Sequence, residues 1–146
     1  MMRIRSEQLE QFQRAADETE RNALCDVIRR TQAETVVRLP SRSCRVSELE
    51  HAELRALTDA SMEIAKSFGL DPGADQSAFT AVRFSAAPNF HEHDVVEGIL
   101  RQPGRTSAMK LKALWRDTTE RHWDEIVQGY DTAAWLRKPN RGPHAR

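Results

Sequence analysis

The stretch SELEHAELRALTDASMEIAKSFGLDPG, residues 47–73, carries the reading of the fold. Within it Leu54, Leu57, Ser61, Ile64 and Phe68 recur every three or four positions, the period of one face of an α-helix. Ser47 and Glu50 stand at capping-box spacing, where a serine hydroxyl and a glutamate carboxylate satisfy free amides at a helix start. Gly69 follows the last apolar residue and can take the positive φ that closes a helix, so that Leu70 folds back onto Ala65. Asp71-Pro72-Gly73 then reads as a turn.

Upstream, Leu9, Phe12, Ala16, Thr19, Ala23 and Val27 repeat at helical intervals, which predicts a first helix from Ser6, its cap, to about Arg30. The stripe is expected to be its buried face. Asp17-Glu18-Thr19-Glu20-Arg21-Asn22 is weakly apolar on every side, so the helix is expected to bend or stand proud there. Pro40-Ser41-Arg42-Ser43 reads as a connection, and no strand-like alternation is evident.

Downstream, residues 75–86 are apolar nearly all round, with Phe79, Val82 and Phe84, the composition of a central helix. Pro88 ends it. Asp94 is expected to cap a short helix carrying Val95, Val96, Ile99 and Leu100, which Pro103-Gly104 stops. Thr106 or Ser107 opens a long late helix to Gly129, with Ala108, Leu111, Trp115, Thr118, His122 and Ile126 on one face and Leu114 and Trp123 beside it. Asp131 can cap one more turn bearing Trp135 and Leu136. The prediction is an all-α, single-domain bundle of five or six helices over residues 1–136. A basic disordered tail follows at 137–146.

The 146 residues suffice for one core without metal or disulfide staples. Cys25 and Cys44 stand apart, and Cys25 lies in a helical pattern, which predicts a buried, reduced thiol. Lys plus Arg equals Asp plus Glu at 22 each. No net field therefore draws in nucleic acid or anionic lipid. The start turns polar at once, without the apolar run of a signal peptide, and nothing approaches a membrane span, so the cytoplasm is the expected location.

The densest candidate ligand cluster is His91-Glu92-His93-Asp94. Imidazoles two residues apart point about 200° apart on a helix and converge on one ion only in a loop, with help from His51, His122 or a cysteine. A polar loop capping the next helix is the plainer reading. No G-x-S-x-G, G-x-x-x-x-G-K-[ST], G-x-G-x-x-G or H-E-x-x-H is present, and no cofactor is expected. Trp115, Trp123 and Trp135 all fall in the last third. Such aromatics serve in cores and, less often, at interface centres, and Trp123 and Trp135 are the candidate partner contacts among them.

The order of features resembles a group of small bacterial proteins encoded beside type VI secretion spike and effector genes, commonly near an adaptor that loads effectors. Met2-Arg3-Ile4-Arg5-Ser6-Glu7-Gln8-Leu9 with Phe12 is similar to their first helix, and Ile64-Ala65-Lys66-Ser67-Phe68-Gly69-Leu70 to their second helix end. Pro88-Asn89-Phe90-His91, followed by Ile99-Leu100, looks like their segment before a short helix. The likeness spans about residues 2–115. Asn89 and His91 replace acidic positions, and Ala81-Val82-Arg83-Phe84-Ser85 is less bulky than the usual run. The resemblance implies a non-enzymatic accessory or chaperone-like protein that binds an effector or its adaptor, and adds Phe90 and His91 to the candidate contacts. An immunity protein inhibiting a cognate toxin, a small metal-dependent enzyme using His91 and His93, and self-association are the alternatives.

Overall fold

The computed structural model describes residues 6–139, apart from the side chains of residues 6–9, 12 and 13. It is all-α, with six α-helices among the described residues, and no described helix is long and apolar enough to cross a membrane. Helix α1 spans Ser6–Thr31, a run free of Gly and Pro, with Arg29 and Arg30 placed against the negative end of its dipole. Ser6 is already helical; its side chain and those of Leu9 and Phe12 lie outside the described set.

The buried face of α1 differs from the expected one. Leu24, Cys25 and Ile28 are buried, whereas Ala16, Thr19, Ala23 and Val27 face solvent, Val27 with 40% exposure. Polar clamps set this rotation. Arg55 grips Glu18 with two hydrogen bonds of 2.8 Å and also reaches Asn22, while Arg21 pairs with Asp59 and Glu63 at 3.1 Å each. Residues 14–19 are exposed, but the stretch expected to bend or stand proud is held to the body, since Glu18, Arg21 and Asn22 engage Arg55, Asp59 and Glu63 and Glu20 accepts from the Gly73 amide at 2.9 Å.

The expected connection around Pro40 is the tip of an antiparallel hairpin, β1 (Val36–Arg38) and β2 (Ser43–Arg45), with Val37 opposite Cys44. The β-branched pair Val36-Val37 favours extended backbone, and three residues per strand are too few to show alternation. A 3-10 turn at Val46–Glu48 leads to α2, His51–Ser67. The capping pair is Glu50 with Glu53, not Ser47 with Glu50, because the 3-10 turn occupies the earlier position. Leu54, Leu57, Ser61, Ile64 and Phe68 are all buried as expected. Gly69 has φ +77°, and the Leu70 amide donates to the Ala65 carbonyl at 3.2 Å.

Helix α3 (Ala74–Ser85) is central. Phe79 enters a core with Phe68, Phe90, Leu100 and Leu114, and Phe84 enters a second with Ile28, Val37, Leu54 and Trp135. Helix α4 (Asp94–Leu100) follows, but its cap is His93, whose Nδ1 accepts from the Val95 amide at 3.2 Å. The long late helix is two: α5, Ser107–Asp117, capped by Thr106, and α6, Glu120–Gln128. Thr118 is extended, and Thr119 and His122 cap α6 reciprocally through Oγ1 and Nδ1. The β-branched Thr pair and this capping box outweigh the continuous apolar spacing.

Asp131 caps a 3-10 turn at Thr132–Ala134, and the next residue, Trp135, donates to the Arg38 carbonyl and the Tyr130 hydroxyl at 3.0 and 3.2 Å. The C-terminal segment thus fastens the hairpin to the body. Residues 137–139 continue the ordered chain, since Arg137 pairs with Glu92 and Asp131; the rest of the expected tail, 140–146, lies outside the described residues.

Cys25 and Cys44 are both free thiols. Cys25 is 1% exposed, and burial pushes its thiol up from the usual range, which suppresses the reactive thiolate. A native-state thiol titration is expected to label half-buried Cys44 first, with Cys25 modified only on unfolding; equal labelling rates in native buffer would refute this.

Candidate functional site

The segment expected to carry chemistry lies where α3 turns toward α4. Phe90–Glu92 form a 3-10 turn that buries Phe90 and His91 and leaves Glu92 exposed. Phe90 is fully buried, 4.9 Å from the Phe79 ring centre. His91 also turns inward, with ring centres of Phe68, Phe79 and Phe90 between 5.6 and 5.8 Å away. Its Nδ1 is buried without a hydrogen-bond partner among the described residues. Burial, reinforced by Arg83, Arg137 and Arg101, holds its pKa down to about 3, so the ring is neutral at ordinary pH.

His93 turns the other way. Because its Nδ1 accepts a backbone amide, its ring proton sits on Nε2, aimed at the Glu125 carboxylate 2.9 Å away. His122 is arranged alike, its Nδ1 accepting from the Thr119 amide. A neutral imidazole so engaged has no lone pair on Nε2 for a metal. The two histidines of the motif therefore diverge, and among the described residues no three His, Cys, Asp or Glu side chains are grouped to hold an ion.

The candidate partner contacts are corrected by burial. Phe90 and Trp135, 0% and 1% exposed, are core residues, and His91, at 7%, is nearly so. Trp123 is half-buried. Its ring lies between Phe90, at 6.3 Å, and Trp115, at 6.5 Å, and its Nε1 donates to Thr118 Oγ1. Trp115, expected on the buried stripe, is the outward member, 53% exposed, because α5 buries Leu111, Ala113 and Leu114 instead.

Two surface features went unassigned in the sequence. One is the outward face of α1. The other is a cleft of about 470 Å³ between the end of α2, the start and end of α4, and residues 134–139. Ile64, Phe68 and Ala134 give it apolar walls, His91 lies in its lining, and Arg101, Arg137 and Lys138 bring positive charge. Cleft residues so far apart in the chain leave no local pattern; Arg101 could have been noticed only as a lone cation following an apolar helix.

The fold and these surfaces define an all-α protein with an exposed stripe on its first helix and a cleft of mixed charge and apolar walls. No family model matches the chain, and searches of curated proteins and of solved structures also find no match.

Proposed function

We propose that this chain is a non-enzymatic, chaperone-like binding protein for a type VI secretion effector or the adaptor that loads it. The secretion context follows from the resemblance of residues 2–115 to accessory proteins encoded beside such genes. The observation that carries the binding role is α1, whose apolar stripe at Ala16, Thr19, Ala23 and Val27 is turned away from the body. A 26-residue helix extends about 39 Å at 1.5 Å per residue, and its buried residues among those described, Leu24, Cys25 and Ile28, lie in the last third. A lone helix is marginal in water, so a covering partner helix would stabilise this arm. Stripes at such spacing dock amphipathic helices into grooves, and the exposed Asp26 and Arg30 beside it carry both signs, suiting a mixed-charge partner edge.

Co-expression with the products of neighbouring genes tests the reading. The effector or adaptor is expected to copurify with the chain, and Ala23→Glu combined with Val27→Glu to cut recovery at least tenfold without shifting the thermal midpoint. A chain that stays alone with every neighbour, or a double variant that binds normally, would overturn it. Protection of cells against an adjacent toxin would make the chain an immunity protein instead.

A further inference from the structure

From the cleft beside the C-terminal segment we infer a second, small-ligand site: it takes a carboxylate attached to a compact aromatic or aliphatic body, with Arg101 as the anchor for the carboxylate. The volume, about 470 Å³, lies in the range of sites for small organic ligands. Its walls supply the apolar half of the recognition. Ile64 and Phe68 come from α2, Ala134 from the C-terminal turn, and Pro139 closes the side opposite.

Charge supplies the other half. The Arg101 guanidinium lies over the Phe68 ring at 4.9 Å, which fixes its plane, while its nearest carboxylate, Glu97, stands 4.0 Å away, beyond hydrogen-bond reach. A planar fork held in place that makes no hydrogen bond among the described residues, its ion pair with Glu97 being long, is suited to bidentate capture of a carboxylate. Arg137 is different, being committed to Glu92 at 2.7 Å and to Asp131. It closes the wall and leaves Arg101 as the anchor, with Lys138 adding charge at the rim.

The surroundings raise the potential further. Arg83, buried nearby, is satisfied by carbonyls and a hydroxyl and has no carboxylate as a hydrogen-bond partner, although Glu92 offsets part of its charge through space. Cations in the lining outnumber the acids Glu92 and Glu97 by three to two, before Arg83 is added. Burial is the main cause of the low His91 pKa, and Arg83, Arg137 and Arg101 add to it in the cleft lining. A neutral ligand gains only from the apolar walls; an anionic one gains in addition at Arg101 and Lys138. Free carboxylic acids and the terminal carboxylate of a peptide share this chemistry.

The test uses the full chain with phenylacetate, its uncharged analogue phenylacetamide, and a tetrapeptide ending in phenylalanine with a free or an amidated terminus, followed by calorimetry and by NMR of the His91 and Phe68 rings. Phenylacetate is expected to bind with a dissociation constant of about 1 mM or tighter and to move both rings. Phenylacetamide should bind at least tenfold more weakly, and Arg101→Gln should weaken phenylacetate by a similar factor. Arg101→Lys, keeping charge without the fork, should fall between, and Arg116→Gln, outside the cleft, should change nothing. Tighter binding of the free-terminus peptide than of phenylacetate would identify a protein terminus as the source, and the reverse a free acid. No saturable binding at millimolar phenylacetate, equal binding of acid and amide, or full affinity in a folded Arg101→Gln chain would overturn the site.

Discussion

Replacement of Arg83 by alanine is expected to destabilise the fold by about 3–5 kcal/mol, a large part of the roughly 5–15 kcal/mol that holds a typical domain together. Arg83 is 0% exposed, in the middle of α3 between the two cores. Its Nε donates to the Pro88 carbonyl at 2.8 Å, Nη1 to Ser61 Oγ at 2.7 Å, and Nη2 to the Ala134 and Trp135 carbonyls at 2.8 and 3.3 Å. The guanidinium also lies 5.1 Å from the Trp135 ring centre. One side chain therefore ties α2, the α3–α4 turn and the C-terminal segment together. Burial without an acidic partner pushes its pKa down to about 10, yet it stays charged at neutral pH because these oxygens replace its water.

Alanine removes the donors, strands the Pro88 and Trp135 carbonyls (Ala134 keeps the Arg137 amide) and leaves a cavity, and each stranded group costs about 1–3 kcal/mol. Arg83→Met refills much of the volume but not the hydrogen bonds, so it should recover only part of the loss. Urea unfolding followed by Trp fluorescence measures both variants, with an unchanged m-value confirming that the same transition is compared. An alanine variant within about 1 kcal/mol of the parent chain would show that the Arg83 network contributes little net stability.

How much of this was legible in the sequence depends on how local each signal is. Helix α2 could be read at once, its buried face in full and its Gly69 stop, because spacing and terminator lie within one short run. Helix α1 was legible as a helix but not in its orientation. It bears two candidate faces, and which one is buried depends on Arg55, Asp59 and Glu63, which arrive from α2 and grip Glu18 and Arg21. The split between α5 and α6 was written in Thr119 and His122, a capping pair masked by continuous apolar spacing. The hairpin had only Val36-Val37 ahead of Pro40 to announce it. Arg83 and His91 are the deepest cases, since a polar residue in an apolar context is buried only if remote segments complete its surroundings.

His91 yields the second large effect, which appears on acidification. Its folded pKa, about 3, lies below the ordinary histidine value of 6.5, so the unfolded chain takes up the proton first. The stability that the neutral ring permits is therefore fully present above pH 6.5 and is lost as pH falls toward 3. At about 1.4 kcal/mol per unit, the loss is about 2–3 kcal/mol between pH 6.5 and 4.5 and about 4–5 kcal/mol by pH 3. Carboxylates held low by arginine partners, such as Glu18 and Asp131, add their own acid sensitivity, so the parent profile alone does not isolate the histidine. His91→Leu does. Leucine sheds the unpartnered Nδ1, keeps an apolar body among Phe68, Phe79 and Phe90, and cannot titrate. At pH 7 the variant should lie within about 1 kcal/mol of the parent or above it, since the lost ring contacts are offset by removal of a buried unpaired nitrogen. At pH 4.5 it should gain a further 2–3 kcal/mol, roughly, over the parent, and the carboxylate contributions cancel in the comparison. Parallel stability profiles for the two proteins between pH 7 and 4.5 would mean that the ring accepts a proton in the folded state as readily as in the unfolded one, and that it has a route to water which its 9% side-chain exposure does not suggest.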